Sequence, residues 1–270
     1  MIVVHARQIT GPRRHNVRSR PIEVTAIPMS EPVPMPAVQT VTQPPAPVLF
    51  IVPAEKKTHL EQLLDQSGID PHKRPIAQAV LGLIDQACIE KLQTFSVLYN
   101  HPKHRGLAGR GVILLTGTVP DAEFIGLLMH EALGHFRDLT CLSGNPASGA
   151  SAFRDSGEEI FNDDPSIAFY SLSWVNERQR KVDAKPEDFV TGYAHDADNF
   201  EDAAESVTYY MTQEKAFRER AAQNPILAEK LAWVEKYLPK PRSVAEGDAW
   251  DGKIAWDATK LPFTWVGGGA

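Results

Sequence analysis

Cysteine is nearly absent from this chain. Two occur in 270 residues, Cys88 and Cys141, and neither belongs to a Cys-x-x-Cys, which excludes a disulfide framework. They read as free thiols of a reducing compartment. Long apolar runs are missing as well: nothing approaches the ~18 residues of a membrane span, and the first twenty residues lack the apolar segment of a secretory signal. The expected location is cytoplasmic, or outside the cell by export without a cleavable signal. Positive charge is not in excess either. A net charge of −6 argues against nucleic acid as the main partner, and no internal repeat is visible.

What is present suffices for a buried core, with 43% hydrophobic residues in one main domain plus appendages. Residues 1–55 form a basic, proline-rich extended arm. Arg7, Arg13, Arg14, Arg18 and Arg20 precede the first acid, and prolines crowd the stretch up to Pro53, removing donors for helix or sheet. The arm reads as a tether, a docking segment for a proline-reading partner, or a pro-segment across an active site. Residues 56–108 form a helical scaffold. Thr58 caps a first helix, and a second runs from Asp70-Pro71 through Leu92. Phe95–Tyr99 and Gly111–Leu115 read as strands, separated by a basic turn in which His101 and His104 are surface residues. The core occupies residues 109–240. It has a helix from Pro120 or Asp121 to Thr140, a Gly/Ser/Ala loop over 143–151, helix again over 158–178, and helices at 198–220 and 225–238. Residues 241–270 form a Trp/Gly-containing tail, with Trp250, Trp256 and Trp265 anchoring an irregular cover. The fold class is α+β, mainly helical, with a small sheet preceding the central helix.

That helix carries His130-Glu131-Ala132-Leu133-Gly134-His135. Two imidazoles can hold a metal and the glutamate can move a proton. In His-Glu-x-x-His the histidines are four apart and only about 40° from each other around a regular helix. Here they are five apart, about 140° on a regular helix, so they share a metal only if the helix widens by a π-type turn. Gly134 lowers the cost of such a distortion. A catalytic zinc also needs a third protein ligand. Glu201 and Glu205, four apart on the next long helix, supply one carboxylate for metal and one to orient an imidazole. Glu158, Glu159, Asp163, Asp164 and His195 are the rival ligands. A strand before the histidine helix, residues 111–117, is placed to hold an extended substrate by its edge.

His130–His135 resembles the His-Glu-x-x-Gly-His motif of dipeptidyl peptidase III. Tyr193 followed by Glu201-Asp202-Ala203-Ala204-Glu205 resembles the Tyr…Glu-Asp-x-Ala-Glu pattern of anthrax-lethal-factor-like peptidases. The similarity, covering about residues 110–215, is to the site of gluzincin-type zinc metallopeptidases. It implies a zincin-like domain and Zn2+ bound by His130, His135 and Glu201. It further implies Glu131 as general base, Tyr193 as oxyanion donor and Glu205 behind the ligands; His195 is the substitute for Tyr193 in this sequence. A protein or peptide is the expected substrate. The basic, proline-rich arm ahead of such a domain suggests, by analogy alone, a bacterial effector or toxin-like protease. Two rivals remain: a non-catalytic zinc protein that binds a partner through its arm and tail, and a regular helix holding no metal.

Overall fold

The computed structural model describes residues 57–100, 103–238 and 245–265. The proline-rich arm therefore lies outside the described residues. Thr58 and Glu61 form a reciprocal capping box at the start of α1 (His59–Gln66), as the Ser/Thr-x-x-Glu spacing dictates. The single long helix expected from Asp70 to Leu92 is instead two. These are α2 (Arg74–Leu81) and the short α3 (Gln86–Ile89), the latter restarted by Asp85, whose side chain accepts from the Cys88 amide. Gly82 ends α2, so the continuous apolar face spans a break that periodicity alone does not reveal.

The sheet has the order β1-β3-β2. Strands β1 (Thr94–Leu98) and β3 (Val112–Thr116) run parallel, and β2 (Gly106–Gly109) joins β3 antiparallel. Two strands match the sequence reading; β2 falls in what was read as a basic turn. Its presence corrects the expectation for 111–117, because β3 lies in the middle of the sheet and the edges are β1 and β2.

Helix α4 (Asp121–Leu128) continues without a break into a π-helical segment, Met129–Cys141. Its last residue is disulfide-bonded to Cys88 of α3, with a Cα–Cα separation of 5.5 Å. This corrects the free-thiol reading and removes its argument for a reducing compartment. The partners are 53 residues apart in sequence and meet only because the segment packs beside α3.

Residues 158–178 are not one helix. Strands β4 (Ala150–Asp155) and β5 (Glu158–Phe161) form a hairpin whose turn residues, Ser156 and Gly157, both have positive φ, 50° and 92°. Two such residues match the right-handed twist of paired strands. Only α5 (Ser166–Ser173) is helical, and it gives way to the small β6–β7 ladder (Trp174–Asn176, Gln179–Arg180). The short α6 (Gly192–Asp196) leads to α7 (Asn199–Ala221), which Asp198 caps through the amides of Phe200 and Glu201. Helix α8 (Pro225–Tyr237) begins with proline and an Asn224 cap.

The π segment and α7, the longest helix among the described residues, cross at Gly134. A Cβ there would lie 2.7 Å from both Cα and Cβ of Ala204. The glycine sets the approach of the two helices, and with it the distance from the histidines to Glu201. Residues 245–265 run back over the domain, pairing β8 (Ala245–Glu246) with β9 (Thr264–Trp265). Of the three tryptophans expected to anchor this cover, Trp250 and Trp265 are partly buried against the core, whereas Trp256 is 62% exposed. The whole is mainly helical α+β. Among the described residues no helix is long and apolar enough to cross a membrane.

Candidate metal centre

In a π-helix each amide bonds the carbonyl five residues back, as Leu142 does to Arg137. Residues five apart then fall on one face. His130 and His135 do so: their rings are 4.9 Å apart and nearly perpendicular, and both are buried. The N-terminal turn of α7 faces them. Glu201 Oε2 lies 3.0 Å from His130 Nε2 and 3.3 Å from His135 Nε2. The three donor atoms lie within 4.8 Å of one another and can hold a metal ion. The carboxylate is thus close enough to each imidazole for them to share one metal ion. None of the rival acids belongs to this group. Glu158 and Glu159 pair with Arg110 and Arg154, and Asp163 and Asp164 serve the turns at Asn145 and Ser166.

Glu205, one turn along α7, is fully buried. Its Oε2 accepts from the Thr191 hydroxyl at 2.6 Å and the Ala258 amide at 2.9 Å. Its Oε1 is 3.2 Å from His130 Nδ1, and neither atom has another hydrogen-bonding partner. A carboxylate at Nδ1 keeps the proton there and leaves Nε2 free as a ligand. Burial opposes charge on both histidines, but the facing carboxylates outweigh it and raise both pKa values, that of His130 well above the usual imidazole range. Burial likewise opposes ionisation of Glu201, and the two imidazoles overcome it, holding the carboxyl far below its ordinary value. The cluster is thus a carboxylate among imidazoles that binds protons in the absence of a stronger cation, and metal binding would displace them.

Glu131 is buried beside these groups, its Oε2 without a hydrogen bond, and burial raises its pKa. Gly106 of β2 passes so close that any Cβ there would collide with the Glu131 carboxylate, which explains glycine at that position. Tyr193 interacts with Glu201; burial first and that carboxylate second raise its pKa. His195 is engaged elsewhere, its Nδ1 2.5 Å from Asp196 Oδ1 and its ring against Phe189. A cavity of about 250 Å³ opens onto His130, Glu131, Tyr193, Glu201 and Glu205.

Three elements of this cavity are absent from the sequence reading. Arg105 bonds Glu123 at 2.8 Å, the Thr259 hydroxyl at 3.0 Å, and Asp257. Asp257 and Thr259 come from the tail, which also pairs with α6 through Gly192 to Ala255 and Tyr193 to Trp256. The tail therefore builds the wall behind Tyr193 and Glu205 as well as covering the domain. His104, read as a surface residue, is exposed but lines the cavity beside Lys103. The Asp257-Ala258-Thr259 turn is visible in sequence as a capping pattern, yet nothing local tells where it docks. Compared with known protein families, with curated proteins and with solved structures, the chain matches none.

Proposed function

We propose that the chain is a zinc-dependent metallopeptidase of gluzincin type. One observation carries the reading: a π-widened helix brings His130 and His135 to the same carboxylate, Glu201, beside a buried glutamate with an unpartnered oxygen. Two imidazoles and a carboxylate form a donor set suited to catalytic zinc. When bound, zinc would acidify water and polarise a peptide carbonyl. Glu131 then takes the proton of the attacking water and passes it to the leaving amine, a role suited to a carboxyl whose pKa burial has raised. Tyr193, which lines the same cavity, donates its hydroxyl hydrogen to the developing oxyanion. Glu205 fixes the His130 tautomer. The free edge of β2, with Gly106 against Glu131, offers main-chain groups to an extended substrate.

The test is Glu131→Gln. The variant should keep stoichiometric zinc by metal analysis and lose about 10²- to 10⁴-fold in peptide hydrolysis, whereas His130→Ala should lose both. Full activity in the glutamine variant would sink the proposal.

A further inference from the structure

The charged side chains lining the cavity can be accounted for one by one. Asp257 is neutralised by Arg105, which also holds Glu123. Glu205 is committed to Thr191, Ala258 and His130, Glu201 to the two imidazoles, and Glu131 is the proposed base. Lys103 is left over. It is exposed, and among the described residues neither it nor His104 pairs with an acid. The position of Lys103 is not that of a free surface lysine. Lys103 lines the cavity, and the chain is anchored two residues on, where Arg105 is tied to α4 and the tail and its carbonyl accepts from the Thr116 amide at 2.8 Å.

We infer that Lys103, with His104 as a hydrogen-bond donor, selects substrates bearing a carboxylate close to the scissile bond. The inference rests on the peptidase reading. Gly106 marks the bond's position by its contact with Glu131. Lys103 lies three residues before Gly106, at most ~10 Å along the chain, so the carboxylate lies within a few residues of the cleaved bond. It belongs to an Asp or Glu side chain or to the peptide's C-terminus.

The zinc-loaded full-length protein would be assayed with internally quenched decapeptides of one apolar scaffold. Each carries a single Glu or Gln at successive positions, as free acid and as C-terminal amide. The expected result is about fourfold higher kcat/KM for Glu over Gln at one such position, or for acid over amide, which is the range of an exposed ion pair. The preference should shrink at high salt and be lost or turn toward Gln over Glu, and amide over acid, in Lys103→Glu. Preference retained in the amides assigns the side chain; its loss there assigns the terminus. Equal rates throughout, or a preference untouched by Lys103→Glu, overturn the inference. Binding of the same peptides to zinc-loaded Glu131→Gln separates the two readings. Tighter binding of carboxylate peptides that Lys103→Glu removes, with no cleavage by wild type, keeps the subsite and rejects the peptidase. No cleavage and no binding difference rejects both.

Discussion

Two buried charged clusters sit on neighbouring residues of α7, and they are built on opposite principles. Asp202 is wholly buried, yet every oxygen is used: Lys230 Nζ donates to both, at 2.9 and 2.7 Å, and Trp174 Nε1 to Oδ2 at 3.0 Å. The lysine is completed by the Asp188 carbonyl at 2.9 Å and lies 3.9 Å over the Phe189 ring. Glu201, one residue earlier, is surrounded by imidazoles instead, and Glu131 beside it keeps an unpartnered oxygen. A cluster closed by its own lysine has no use for an external cation. One made of convergent lone pairs, held by groups that are themselves anchored, has a use for it. The helix thus presents a structural ion pair on one face and a candidate metal centre on another.

Substitutions separate the two. Lys230→Met leaves the Asp202 carboxylate buried with Trp174 as its side-chain donor and should cost about 3–5 kcal/mol in denaturant unfolding, with zinc stoichiometry unchanged. Replacing Asp202 by Leu in the same chain should recover most of that loss, since a buried pair exchanged for apolar groups is close to neutral. Glu205→Gln should do the reverse. Its amide oxygen can still accept from Thr191 and Ala258, so stability changes little. The amide N–H now faces His130 Nδ1 and pushes the ring proton to Nε2, the ligand atom. Zinc affinity should fall about 10- to 100-fold, as read by competition with a chelating dye. A large stability loss in Glu205→Gln, or zinc loss in Lys230→Met, would erase the distinction between the clusters.

Gly134→Ala tests what brings the centre together. The glycine's φ lies outside the left-handed region, so conformational freedom is not its main function; room is. The added methyl meets the Ala204 backbone, and α7 must move away, at a cost of about 1–3 kcal/mol. Glu201 moves with it. Zinc binding should weaken along with stability, a combined effect that neither previous substitution produces. Unchanged zinc affinity would show that Glu201 does not depend on the crossing.

What could be read from sequence divides along a physical line. The five-residue histidine spacing is a local quantity, so it could state its own condition, a widened helix, and Met129–Cys141 meets it. The four-residue spacing of Glu201 and Glu205 is local too, and both carboxylates reach His130. Where the reading failed, tertiary contact decided. Cys88 and Cys141 meet across 53 residues. Strand β2 is too short and glycine-rich to show an alternating pattern, and exists because β3 supplies its hydrogen bonds. Arg105 meets Asp257 across 152 residues. The 158–178 error differs in kind, because Ser156-Gly157 was an available hairpin signal. The apolar residues after it fit a helix equally well.

A third buried acid sharpens the contrast by having neither lysine nor imidazole. Asp164 is 8% exposed and accepts from the Ser166 amide at 2.9 Å. Burial, reinforced by the neighbouring Asp138, lifts its pKa from 3.8 to about 6 against the pull of that amide. The folded state therefore holds a proton that the unfolded chain releases near pH 4. Stability from this group is full below that pH and is lost as pH rises through about 6. In Asp164→Asn the amide oxygen can still cap Ser166 and nothing titrates. Between pH 4 and 7 the wild type should lose stability relative to the variant, with most of the change falling between pH 4 and 6.5 and amounting to no more than about 2 kcal/mol. Denaturant midpoints measured in parallel at pH 4, 5.5 and 7 show it. A constant difference across that range would mean that the amide alone is enough to hold a buried carboxylate in its charged form.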